Sequence, residues 1–156
     1  MIRIFIITIL LVANIFALEN LYFLPKDGKK VMQDMETHIK NAKESIDIAM
    51  YNISYRKLVN LLNEASQRGV KVKIFYFKKK ADFDENVKAI KIKDKLHTKI
   101  AIVDKKVVIF GSANWTEDSF KENYEVFYIS DKEELAKQFN QFFESLEKNK
   151  RNQIKE

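Results

Sequence analysis

From Leu18 onward the chain mixes short apolar runs with apolar residues recurring every third or fourth position, a pattern that predicts a layered α/β domain. Leu21–Leu24 is a short apolar run closed by Pro25, which reads as an edge strand. Val31, Met35, Ile39 and Ala42 fall on one face of a helix spanning about Lys29 to Ala42. Ile46–Tyr51 reads IDIAMY, a strand with apolar residues on both faces. Leu58, Leu61, Leu62 and Ala65 mark a second helix, about Tyr55 to Arg68, with Gly69 as its stop. Val70–Phe77 is a strand again. Strand, helix, strand in that order predicts a parallel crossover.

Lys78–Lys95 has no clear period and reads as containing a loop, with seven lysines against four acidic residues. Leu96–Val103 and Val107–Phe110 predict a hairpin turning at Asp104–Lys106, and Tyr124–Ile129 a further strand. Ser130 followed by Glu133 is a capping-box pattern opening a last helix, with Leu135, Phe139, Phe142, Phe143 and Leu146 inward. The charged tail after Lys148, through residues 151–156, reads as frayed. The expected fold is therefore α/β, one domain over residues 18–150, built on a mixed β-sheet flanked by helices.

The first seventeen residues stand apart: Arg3 is their only charge, and Ile4–Val12 is an unbroken apolar run. A positive start, a short apolar stretch and Ala17 match a secretory signal peptide, while an uncleaved N-terminal membrane anchor is the alternative. Either predicts export to a periplasmic or secreted location, the anchor adding membrane association through residues 1–17. With no Cys, disulfides and thiolate zinc sites are excluded. The net charge of +6 allows a polyanionic partner without naming it.

The densest chemistry begins at His97, where HTKIAIVDKKVVIFGSAN sets out H-x-K-x4-D-x6-G-S-x-N. At average residue usage this pattern should arise by chance in about one sequence in 10^5–10^6 of this length. On a strand, His97 and Lys99 share a face, placing an imidazole beside an ammonium able to bind a phosphate oxygen. Gly111 and Ser112 follow a strand end, where the backbone can turn, and Ser112 and Asn114 add neutral donors at the same rim. Lys99 and these donors suit the equatorial oxygens of a phosphoryl group. Asp104 begins the hairpin turn, where it can cap its own backbone, so its reading is structural, as is that of Gly111. Glu125 lies early in an apolar strand, where a carboxylate costs desolvation unless paired; an edge position facing water is the alternative. Trp115 could stack on a base or simply pack. His38 has no motif around it and reads as a surface or packing residue.

The pattern resembles the HKD motif of the phospholipase D superfamily, present here once. IDIAMY at 46–51 and ASQRGVKV at 65–72 resemble the first half of the bacterial single-motif endonucleases of that superfamily. The resemblance implies a phospholipase D-like fold with one half-site per chain. It implies phosphodiester hydrolysis through a phosphohistidine at His97, with Lys99 and Asn114 on the phosphate and no metal or other cofactor. It also implies a hydrogen bond from Glu125 to the catalytic imidazole. Covalent cleavage needs an attacking imidazole and an in-line acid, and one motif supplies one histidine, so a homodimer with a composite site is expected. The lysines of 78–95 and Trp115 point to nucleic acid, DNA foremost and possibly single-stranded, with RNA open. Two alternatives stand: a cardiolipin-type phospholipase D at the membrane, and a catalytically idle nucleic-acid-binding module.

Overall fold

The computed structural model describes residues 17–79 and 81–153. Ala17 apart, the expected leader lies outside the described residues, as do residues 154–156. In chain order the elements are β1 (Glu19–Leu24), α1 (Gly28–Asn41), β2 (Ser45–Asn52), α2 (Arg56–Gln67), β3 (Lys71–Lys79) and β4 (Lys88–Lys91). They continue with β5 (Lys99–Val103), β6 (Val107–Gly111), α3 (Glu117–Lys121), β7 (Glu125–Ser130) and α4 (Glu133–Gln153). Among the described residues seven strands form one sheet in the order β1-β7-β6-β5-β2-β3-β4. β2, β3 and β4 run parallel, and the remaining pairs are antiparallel. The mixed sheet is the one the apolar pattern predicts.

Each face of the sheet is covered. Val31, Met35 and Ile39 of α1, Leu58 and Leu62 of α2 and Phe120 of α3 pack with Ile46, Ile48 and Met50 of β2 on one side. Phe143 and Ala136 of α4 pack with Ala49, Phe75, Ile102 and Val108 on the other. β2 is thus buried on both faces, as IDIAMY demands. Lys73 of β3 fastens α4 further, bonding Glu147 while its Nζ stands 3.5 Å from Asp47. Gly69 ends α2 with φ 91°, and the Val70 and Gly69 N–H groups close back on the Ala65 and Ser66 carbonyls at 3.1 and 3.0 Å.

Four local features differ from the sequence-based expectation. β4 and α3 were not anticipated, because Lys88–Lys91 holds only Ala89 and Ile90 between lysines and α3 is five residues long. β5 begins at Lys99 rather than Leu96: residues 96–98 are held beside β2 by Tyr51 N–H to Thr98 O (3.0 Å) and Thr98 Oγ1 to Ala49 O (3.1 Å). A threonine hydroxyl taking a carbonyl in this way competes with the regular ladder. Ser130 does not cap α4; it is the last residue of β7, its Oγ accepting from Lys132 N at 3.1 Å in a turn ahead of the helix. The helical backbone then runs to Gln153, through the segment after Lys148 read as frayed.

The two structural positions of the motif do more than make a turn. A Cβ on Gly111 would stand 1.9 Å from the Val126 carbonyl oxygen, so glycine is required by the close approach of β6 to β7. Asp104, at φ 50°, reaches across to the α1–β2 connection instead of capping its own hairpin. Its carboxylate accepts from Lys43 N at 2.9 Å, Glu44 N at 2.7 Å and Ser45 N at 3.0 Å. Burial alone would raise its pKa, but the N–H groups of Glu44, Lys43 and Ser45 outweigh burial and hold it below the ordinary carboxylate range. A depressed folded value contributes stability above the unfolded pKa that is lost as pH falls through the folded one. Asp104→Ala should therefore lower stability by about 2–3 kcal/mol at neutral pH. In urea titrations the gap between parent and variant should close as pH drops below the ordinary carboxylate range; a gap independent of pH would contradict this role.

Candidate active site

Strand direction collects the functional residues at one edge of the sheet. The C-terminal ends of β2, β3, β4 and β6 and the N-terminal ends of β5 and β7 all lie there. His97, just ahead of β5, is exposed, whereas Lys99, the first residue of β5, is 8% exposed. The i, i+2 placement survives the shortened strand: Lys99 Nζ stands 3.3 and 3.4 Å from the two ring nitrogens of His97 and donates to the His97 carbonyl at 2.9 Å. Tyr51, at the end of β2, packs edge-on to the imidazole with ring centroids 4.9 Å apart. Its ring also takes Lys99 Nζ at 5.6 Å from the centroid.

Burial pulls the Lys99 ammonium below the ordinary lysine range, against the opposing pull of the Glu125 carboxylate. Glu125, at the start of β7, accepts a short hydrogen bond from Ser112 Oγ, which in turn accepts from Val126 N at 3.0 Å. The expected bond from Glu125 to the imidazole is therefore not made within this chain. Glu125 is paired, as desolvation requires, but with Ser112, and it acts on Lys99 through its field. Ser112, expected to bind substrate, has its hydroxyl proton committed to that carboxylate.

Asn114 follows in the loop between β6 and α3, its buried Oδ1 without a hydrogen-bond partner; the buried Asn52 Oδ1 at the end of β2 is in the same position. A flip of either amide would present N–H donors to the same space. Asn52 was not singled out from sequence, since a strand-end asparagine carries no signal there. What fixes Asn114 is its neighbour. Trp115 N–H donates to Asn52 O at 3.1 Å, and Trp115 O accepts from Ser54 N and Tyr55 N, each at 2.9 Å. The Trp115 side chain is 1% exposed, which rules out stacking on a base: the residue anchors the Asn114 loop to β2. His38 lies on α1, away from this edge, with Nε2 3.1 Å from Asp34 Oδ1.

Residues 35–147 match the family described as cardiolipin synthase, phospholipase D-like domain. The chain belongs to the phospholipase D-like family. The motif read at His97, Lys99, Asp104, Gly111, Ser112 and Asn114 lies wholly inside that match. Among its relatives, a phospholipase D of Rickettsia conorii is 36% identical over 112 residues, covering 65% of this chain and 56% of that protein. The human mitochondrial cardiolipin hydrolase is 27% identical over 135 residues, covering 76% of this chain and 52% of that protein. The chain thus spans little more than half the length of these curated relatives. Among solved structures, NucT from Helicobacter pylori superposes with a TM-score of 0.73 at 24% identity, covering 83% of this chain and 95% of that one. That likeness establishes the shared phospholipase D-like fold.

The opposition of burial and Glu125 at Lys99 has a measurable sign. Glu125→Gln removes the negative field, so the Lys99 pKa should fall further. If cationic Lys99 holds the phosphate, the alkaline limb of a kcat/KM–pH profile should move to lower pH in Glu125→Gln. A limb that stays in place, or moves up, would separate Lys99 from Glu125.

Proposed function

We propose that this chain is a phosphodiester hydrolase working through a phosphohistidine on His97, with DNA as its foremost substrate. The observation that carries the reading is a buried cation, Lys99, lying against an exposed imidazole, His97, on an open sheet edge. In the first step a ring nitrogen lone pair of His97 attacks phosphorus and the bond to the leaving oxygen breaks. A protonated His97 from a second copy gives its proton to that oxygen. In the second step the partner imidazole, now neutral, takes a proton from water. The water oxygen bonds to phosphorus, the P–N bond breaks, and His97 is released as neutral imidazole. Lys99 and the Asn114 amide hold the equatorial oxygens in both steps, where charge accumulates. Glu125 and Ser112 keep the Lys99 field in place. Because one imidazole must be neutral while its counterpart carries the proton, the reading expects a bell-shaped pH profile.

The nucleic-acid reading draws support from the net charge of +6 and from the resemblance to single-motif bacterial endonucleases. A lipid reading is favoured by the names of the relatives, a phospholipase D and a cardiolipin hydrolase. Residues 1–17 would direct the enzyme across a membrane, to act in a periplasmic or external space, and would tether it if they are not removed.

The second copy needs a surface, and the β1 edge of the sheet offers an apolar one. Leu21 and Phe23 of β1 are 54% and 58% exposed, and they pair across the ladder with Tyr128 and Val126 of β7 on the same face. Leu21, Val126 and Tyr128, with Phe110 and Gly111, border a shallow groove of about 280 Å³, and Phe23 continues the exposed apolar row of β1 next to it. Exposed apolar patches of this kind mark interaction sites. Phe23→Asp should turn the dimer into a folded, inactive monomer by sedimentation and circular dichroism; a dimer that persists would place the contact elsewhere.

The function itself is tested by offering single-stranded DNA, duplex DNA, RNA and cardiolipin vesicles side by side in excess EDTA. Cleavage of DNA should persist in EDTA and vanish in His97→Ala, while His38→Ala stays close to parent. A purified heterodimer of parent and His97→Ala chains should fall to about one hundredth of parent activity or less, since each composite site lacks one imidazole. Half-activity would mean independent sites, and faster hydrolysis of cardiolipin would promote the lipid reading.

A further inference from the structure

The Tyr51 ring, which packs on His97, has a second aromatic neighbour, itself partly packed against the α4 side of the core. Phe77, near the end of the adjacent parallel strand β3, stacks on Tyr51 with centroids 5.7 Å apart and planes 21° from parallel. Tyr51 thus stands between Phe77 and the His97 imidazole. Neither aromatic is fully covered, and Lys78 Nζ approaches the Tyr51 ring at 5.9 Å from its centroid. Beyond Phe77 lies a groove of about 460 Å³ lined by Phe77, Lys91, Ile92, Lys93 and Lys150. That lining carries three lysines and no carboxylate. Like charges gathered in a concave, apolar-floored groove repel one another and concentrate a polyanion.

We propose that Phe77 and Tyr51 form a stacking platform for a nucleotide base next to the scissile phosphate, from which Lys91, Lys93 and Lys150 guide a single strand along the β3–β4 edge. The proposal rests on the nucleic-acid reading above and supplies what that reading lacks, a surface that tells a nucleic acid from other phosphodiesters. Every base has a π face to lay on an aromatic ring, and a glycerophosphate headgroup has none. The platform is sequence-tolerant for the same reason. An unpaired strand fits it best, because stacking on Phe77 requires a base free of its duplex neighbours.

The test uses the full chain carrying His97→Ala, so that bound strands are not cut. Its affinity is measured for a twelve-residue oligothymidylate and for an abasic strand of the same length and charge. The oligothymidylate should bind at least about tenfold more tightly, the order expected from stacking. Adding Phe77→Leu, which keeps the apolar bulk, should abolish that ratio while leaving abasic affinity unchanged; Phe77→Trp should preserve it. Lys91→Gln with Lys93→Gln should weaken both strands alike and flatten the dependence of log K on log salt by about 0.7 per lysine. An unchanged ratio in a folded Phe77→Leu protein overturns the platform, and DNA cleavage by the His97-intact chain then leaves the nuclease reading standing. No affinity for either strand, together with hydrolysis of cardiolipin vesicles, overturns both.

Discussion

The register of β5 on β2 is the constraint on which the site depends. Met50 pairs with Lys99 and Ile46 with Val103, and a slip of one residue would turn Lys99 to the opposite face of the sheet. Both ends of this pairing are tied by something other than the ladder. At one end the Asp104 carboxylate gathers the N–H groups of residues 43–45, and Asp104 N donates to Ser45 O at 2.7 Å. At the other, Thr98 grips β2 through its carbonyl and its hydroxyl. His97 lies just beyond that second tie, outside the ladder yet held at one distance from Tyr51. The motif therefore joins the proposed catalytic end to a structural end of the same short strand.

Lys99 is the most constrained charge of the candidate site. A lysine only 8% exposed loses hydration, a cost that proteins offset with partners. Here the partners are neutral or distant: the His97 carbonyl and ring nitrogens, the face of Tyr51 and the field of Glu125. None is a direct carboxylate contact, which in the proposed reaction leaves the ammonium to the substrate phosphate. A salt bridge from Glu125 to Lys99 would satisfy the cation and blunt the site. Tying Glu125 to Ser112 avoids that while keeping the negative field near, and an oriented field of this kind needs no rearrangement when charge develops on substrate.

Much of this was legible in the sequence because it is written in local spacing. The i, i+2 step brings His97 and Lys99 together, the apolar double face of IDIAMY marks β2 as central, and Gly69 ends α2. What was not legible depends on residues far apart in the chain. Asp104 finds its partners some sixty residues upstream, and nothing in a turn aspartate reveals that its carboxylate points outward. Trp115 beside Asn114 invites a reading as a ligand contact, yet its backbone bonds to Asn52, Ser54 and Tyr55 draw the indole into the core. β4 is hidden by its lysines, since a half-exposed edge strand needs few apolar residues. The Tyr51–Phe77 pair arises from parallel register, which a single sequence does not display.

The two ends of the sheet are unlike, and their difference bears on what each meets. An edge strand exposes unpaired backbone and invites another chain unless charge or a bulge discourages it. β4 is so protected, with Lys88 and Lys91 at its two ends. β1 is less so: Glu19 charges one end and pairs with Lys132, while its other outward positions, Leu21 and Phe23, are apolar and half exposed. A surface that repels its own kind and draws polyanions thus sits on one flank of the catalytic edge, and a surface that favours apolar contact sits on the other. The proposed reaction needs both, a strand of substrate and a second imidazole. The strand order β1-β7-β6-β5-β2-β3-β4 sets His97 and Lys99 between the two, so neither approach must displace the other.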